Sequence, residues 1–189
     1  MRKVKYLVAN SLDNFIARKD GAVDWLFRDN TDYGMREFFA SIDTMLIGRK
    51  TYEWALSHSP KPKQKSRSKK AKGKRVFCSS MRNYVFSRTM KAAPDEDVVI
   101  ISENAEEFVR NLKSEAGKDI WLMGGGELAR SLFAENLVDE IRLNIHPVLI
   151  GSGIPLFPDI GHQIDLELTD CKAHDNGCVQ MAYRVKGEA

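Results

Sequence analysis

The chain is poor in several features that would have pointed its function elsewhere. Its three cysteines, Cys78, Cys171 and Cys178, are odd in number, form no CxxC pair and have no clustered histidines beside them. That argues against a disulfide framework or a thiolate zinc site and suits a reducing, cytoplasmic setting. No set of His, Cys, Asp and Glu has metal-ligand spacing, so no metal is expected. No apolar run approaches the ~18 residues of a membrane helix. Met1-Arg2-Lys3-Val4-Lys5-Tyr6 enters a strand pattern at once, so no secretory leader is expected. Internal repeats are missing. So are the GxGxxG and GxxxxGK[ST] phosphate-binding signatures, and the absence of the second argues against ATP binding.

Net positive charge is also scarcer than the totals suggest. The 189 residues carry 29 Lys+Arg and 26 Asp+Glu, a formal net of +3. Nine of the basic residues lie between Lys61 and Arg75, with no acidic residue among them. Without those nine, the remainder has 20 basic and 26 acidic residues, a net of −6. An acidic body with one basic insert gives no general case for nucleic-acid binding. Ser59–Arg75 has Ala71 as its one apolar residue and no aromatic residue to stack on bases. It is expected to be a disordered loop inserted within a single domain spanning 1–189.

The apolar patterning that is present alternates strand and helix. Val4, Tyr6 and Val8 mark a first strand, and Ser11 to Gly21 suggests a loop. A short helix is predicted from Asp32, with Met35, Phe38, Phe39 and Ile42 on its apolar face. Thr44–Ile47 is a buried-strand run ending at Gly48, and Arg49 to Leu56 is a helix. Tyr84–Phe86 and Val98–Ile101 are further strands. Asn104 and Glu107 have the spacing of a capping box before a helix ended by Gly117. Ile120–Met123 is a strand that meets Gly124-Gly125-Gly126, and a helix runs from Leu128 to Leu137. Strands are then expected over 140–150, 164–171 and 178–185, the last two joined at Asn176-Gly177. This order predicts an α/β fold with a mostly parallel sheet and an antiparallel C-terminal edge.

Two strand-to-helix turns could carry chemistry. Gly48-Arg49-Lys50-Thr51 and Gly124-Gly125-Gly126-Glu127 each place free backbone N–H groups and a positive helix dipole at a strand end, as a phosphate requires. The segments run in a fixed order. Ala9-Asn10-Ser11-Leu12-Asp13-Asn14 comes first, then Asp24-Trp25-Leu26, Gly48-Arg49-Lys50-Thr51, Ser87-Arg88-Thr89, Trp121 to Leu128, and Pro147 to Phe157. This series resembles the dihydrofolate reductase-like superfamily, in particular the branch of the riboflavin-pathway pyrimidine reductase domains. The resemblance spans nearly the whole chain apart from the basic insert.

The resemblance implies a three-layer α/β/α fold that binds NADPH across the strand ends. Ala9 and Ile16 would line the nicotinamide side. Gly48, Arg49, Lys50 and Thr51 would hold the adenosine phosphates, and Ser87 and Arg88 would sit by the adenine ribose. Met123, Gly124, Gly125, Gly126, Glu127 and Leu128 would cradle the pyrophosphate. Arg49 and Arg88 suit a 2′-phosphate, where an NAD site would more often offer an acid. Family spacing places the proton donor at Asp32, which also stands where a helix-capping acid belongs. Asp13, Asp24 and Trp25 are the candidate substrate contacts. Asn14 replaces the glycine usual in the branch, and Asn tolerates the left-handed backbone such a turn needs. His146, on a strand reaching the site, is expected to be buried and hydrogen-bonded.

The implied activity is NADPH-dependent reduction of a small heterocycle such as 5-amino-6-(5-phosphoribosylamino)uracil, in a homodimer. Dihydrofolate-type pterin reduction is the alternative. A nucleotide-binding module without turnover, whose basic insert engages a polyanion, is the alternative of another class.

Overall fold

The computed structural model describes residues 1–27, 29, 31–58, 81–157 and 159–187. The basic insert at 59–75 lies outside the described residues. Eight strands form one sheet in the order β5-β4-β3-β6-β1-β7-β10-β9. They are β1 (Val4–Ser11), β3 (Ile42–Gly48), β4 (Arg82–Phe86), β5 (Val98–Ile101), β6 (Asp119–Gly124), β7 (Glu140–His146), β9 (Leu166–Ala173) and β10 (Val179–Val185). The pairs from β5 to β7 are parallel, and β10 runs antiparallel to both β7 and β9.

Helices cover both faces, which is why the central strands are continuous apolar runs. Val4, Tyr6, Leu46, Ile120 and Leu122 pack on one face with Val109 and Leu112 of α3 (Ala105–Ser114) and Leu128 and Leu132 of α4 (Gly126–Ala134). The i, i+3 and i, i+4 spacings put these helical residues on one stripe. On the other face Leu7, Ile47 and Trp121 pack with Phe38 of α1 (Met35–Ser41) and Tyr52 of α2 (Arg49–His58). The result is the expected three-layer arrangement.

Some local expectations change. The helix predicted from Asp32 begins at Met35, because Asp32 caps it from outside. Asn104 does not form a capping box. Its φ is 51°, and its side chain makes no cap hydrogen bond. A capping side chain normally projects from an extended residue, which this left-handed one is not. Strand β7 stops at His146, since Pro147 lacks the N–H that the ladder needs. The 11–21 loop contains β2 (Phe15–Ala17), paired antiparallel with β8 (Ile154–Pro155). The Asn176-Gly177 turn forms as expected: Gly177 N–H donates to the His174 carbonyl at 2.9 Å, and Gly177 has a φ of 84°.

At the N-terminal edge of the sheet, away from the glycine turns, charged groups are paired. Arg2 is buried and bonds Asp43 and Thr44 Oγ1, and Asp43 also accepts from the Lys118 amide at 2.9 Å. Lys5 pairs with Asp119 at 2.8 Å.

Candidate active site at the C-terminal strand ends

The ends of β3, β4, β6, β1 and β7 place Gly48, Ser87, Gly124, Ser11 and His146 along one edge. In open parallel sheets this edge is where ligands bind. The two glycine turns meet back to back. A Cβ on Gly48 would lie 2.9 Å from Gly125 Cα, and one on Gly125 would lie 2.8 Å from Gly48 Cα. Gly124 and Gly125 have φ of 145° and 105°, which side chains rarely adopt. The starts of α2 and α4 are therefore held side by side, their free N–H groups sharing one edge. Thr51 stands at this junction, its Oγ1 3.9 Å from where a Gly124 Cβ would be.

The remaining expected cofactor residues are arranged unevenly. Arg49 is half-buried and forms a two-oxygen ion pair with Glu53 at 2.8 and 2.9 Å, so its guanidinium is steered along α2. Lys50 and Arg88 are exposed, and no described residue pairs with either. Ser87 is buried, and its hydroxyl accepts from the amides of Thr89 and Met90 at 3.2 and 2.8 Å, which shapes the turn that presents Arg88. Met123 is partly buried at the end of β6, and Glu127 is exposed. The Leu128 side chain is in the core, so only its backbone can serve a ligand. Ala9 is partly buried opposite Asn144 on β7, and Ile16 packs against the core at β2.

The candidate substrate residues separate into two groups. Asp13 is a clamp: its carboxylate accepts from Ser11 Oγ at 2.6 Å, from the Gly151 amide at 2.8 Å and from the Ile150 amide at 3.3 Å. The Ser11 hydroxyl, then the backbone N–H groups of Gly151 and Ile150, outweigh desolvation and hold its pKa below the ordinary value. The adjoining Asn14 has a φ of 64°, the left-handed turn expected of it. Asp24 is exposed and pairs with Arg18 at 2.7 and 3.1 Å. Asp32 is exposed. Its Oδ1 accepts from the amides of Met35 at 2.9 Å and Arg36 at 3.4 Å, and Oδ2 has no partner among the described residues.

Trp25 belongs to an aromatic cluster that the sequence did not disclose. Trp25, Phe27 and Tyr33 surround His146 at centroid distances of 5.5, 4.9 and 6.2 Å, and His174 meets Tyr33 at 5.0 Å. Asn176 Nδ2 donates to Asp29 Oδ2 and to the Tyr33 hydroxyl, each at 2.5 Å, which ties this segment to the β9–β10 turn. His146 is 3% exposed, as expected for a buried histidine, but its Nδ1 has no partner among the described residues. Burial lowers its pKa, and Asp29 partly opposes the shift. Among the described residues no group of three or more His, Cys, Asp or Glu could hold a metal, and no helix is long and apolar enough to cross a membrane.

Sheet order, flanking helices and paired glycine turns define an α/β protein of the dihydrofolate reductase-like fold. The chain belongs to the RibD C-terminal domain family, whose model matches residues 2–180. It is 39% identical to the uncharacterised Bacillus subtilis (strain 168) protein YyaP over 186 residues, covering 98% of this chain and 96% of that one. Among solved structures it is similar to the Thermotoga maritima diaminohydroxyphosphoribosylaminopyrimidine deaminase/5-amino-6-(5-phosphoribosylamino)uracil reductase. That match has a TM-score of 0.70 and 20% identity, covering 98% of this chain and 57% of the other. Dihydrofolate reductase from Enterococcus faecalis, complexed with NADP(H), matches with a TM-score of 0.64 and 13% identity, covering 98% and 97%. At these identities the structural matches speak for the fold.

Proposed function

We propose that this protein is an NADPH-dependent reductase that transfers hydride to a small heterocycle resembling 5-amino-6-(5-phosphoribosylamino)uracil. The observation that carries the proposal is the contact between Gly48 and Gly125. It leaves backbone where any side chain would intrude, and it joins two helix starts at the ligand edge of the sheet. Family membership and the riboflavin-pathway and dihydrofolate reductase neighbours support a reductase of this type.

The residues present fit a phosphorylated dinucleotide. The amides at the starts of α2 and α4 would take the pyrophosphate, and Thr51 would support the junction. Lys50 and Arg88, which have no partner among the described residues, would take the adenosine phosphates together with Arg49. Ala9 and Ile16 would flank the nicotinamide. The cofactor, when bound, supplies the hydride; the protein supplies position and electrostatics. Asp13 fixes the 11–17 loop against Gly151, which holds Ile16 in place. Asp32 is proposed to pass a proton to the substrate from Oδ2 while Oδ1 keeps the α1 cap. Trp25 is proposed as a substrate contact, and Asp24 as a contact once its exposed pair with Arg18 opens. A homodimer in the cytoplasm belongs to the same proposal. Strand β9, exposed along all eight residues including Leu166 and Leu168, is an edge that a second copy would cover.

The test is NADPH oxidation followed with dihydrofolate and with the riboflavin-pathway aminouracil side by side. Turnover with the aminouracil supports the proposal. Turnover with dihydrofolate alone selects pterin reduction. Saturable NADPH binding with neither substrate turned over favours a module without turnover.

A further inference from the structure

Among the described residues, three buried ring nitrogens in the aromatic cluster have no hydrogen-bond partner: Trp25 Nε1, His146 Nδ1 and His174 Nε2. Buried polar atoms in native folds are nearly always bonded, so a group of orphans calls for a missing partner. Trp25 and His146 are 8% and 3% exposed and touch edge to face. His146 closes β7 beside Ser11 of β1, and Ser11 lies two residues beyond Ala9. Phe27, 39% exposed, is the most exposed of these rings and lies 4.9 Å from His146. The charge that acts on His146 among the described residues is the carboxylate of Asp29, which disfavours an anion here.

We propose that Trp25 Nε1 and His146 Nδ1 recognise the polar edge of a flat, uncharged heterocycle. Trp25 donates to a ring carbonyl. Neutral His146, protonated on Nε2, accepts from the adjacent ring N–H, and Phe27 and Tyr33 supply the aromatic walls. Donor and acceptor belong to two buried rings in edge-to-face contact, their centroids 5.5 Å apart, so a ligand lacking either group leaves a buried nitrogen unpaired and is rejected. This rests on the reductase proposal for its place beside Ala9, and it names the groups that choose the substrate ring.

Uracil serves as the probe and its N,N′-dimethyl derivative as the control, because methylation removes the ring N–H groups and keeps the planar ring and both carbonyls. Both are titrated into the isotopically labelled full chain while the indole and imidazole nitrogen resonances are followed. The expected result is a saturable shift at Trp25 Nε1 and His146 Nδ1 with uracil and none with the dimethyl derivative. His146→Phe and Trp25→Phe should each weaken uracil by about tenfold while NADPH affinity is unchanged. Absence of a saturable shift in the wild-type chain, or equal binding of the dimethyl derivative, overturns the proposal whether or not the variants fold. A chain that binds NADPH and not uracil loses this pocket alone. One that takes uracil at these nitrogens but never binds NADPH loses the reductase assignment alone.

Discussion

Replacing Gly48 with alanine tests the junction on which the proposed cofactor site depends. The new Cβ would lie 2.9 Å from Gly125 Cα and 3.2 Å from the Gly124 carbonyl oxygen. Carbon atoms rest about 3.5–4.0 Å apart, so the two turns must separate by about 0.6–1.1 Å. The neighbours are backbone and cannot rotate away. Overpacking of this kind costs about 1–3 kcal/mol. For a chain of this size that lowers the melting temperature by roughly 2–12 °C. The same movement displaces the amides proposed for the pyrophosphate, and an error of about 1 Å in such a site costs on the order of a hundredfold in turnover. Gly126→Ala is the control for stability, since nothing lies within 4 Å of its Cβ position. It should stay within about 0.5 kcal/mol of wild type. Thermal melts and NADPH fluorescence titrations read both quantities. A Gly48→Ala protein with wild-type melting and wild-type NADPH affinity would refute the reasoning.

Asp32 separates into two roles by substitution. Asp32→Ala should cost about 1 kcal/mol by loss of the α1 cap, and Asp32→Asn should keep most of that stability. Full turnover in Asp32→Asn would remove it as proton donor. Burial places the folded-state pKa of His146 below its ordinary value near ~6.5. Stability is therefore full above that value and declines as the pH falls from it toward the folded value. An NMR titration should find the depressed midpoint, Asp29→Asn should lower it further, and a midpoint at or above the ordinary value contradicts the burial argument. Asp43 titrates at the acid end. Burial opposes its ionisation, but the Thr44 hydroxyl, the Lys118 amide and the charges of Arg2 and Arg82 outweigh burial and lower its pKa. Its contribution is present above the ordinary carboxylate value near ~3.9 and is lost as the pH falls through the folded value. Acid unfolding should be blunted in Asp43→Asn, and an unchanged acid limb would remove Asp43 from the account.

Much of the fold was legible because its causes are local. Strands β1, β3 and β6 are buried on both faces, so they stand out as apolar runs, and α3 and α4 show helical spacing. The glycine turns were visible as residues, but their mutual contact joins positions 77 apart, Gly48 and Gly125. Strands β2 and β8 have three and two residues, too few to show a period. Asn104 carries the letters of a capping box, but its backbone sits in the wrong region. Asp13 looked available for substrate, yet its carboxylate is taken up by the amides of Ile150 and Gly151, far along the chain. The cluster around His146 draws Trp25 and Phe27 from an irregular segment, where no periodicity announces a shared face.

The central claim is that the paired glycine turns, with Arg49, Lys50 and Arg88 nearby, hold a 2′-phosphorylated nicotinamide cofactor. Its most direct test is a parallel titration of the full chain with NADPH and NADH, repeated with Arg88→Ala. Saturable NADPH binding, about tenfold or more tighter than NADH and narrowed toward parity by Arg88→Ala, is the predicted result. No saturation with either cofactor, or equal affinity for both in the wild-type chain, would contradict it.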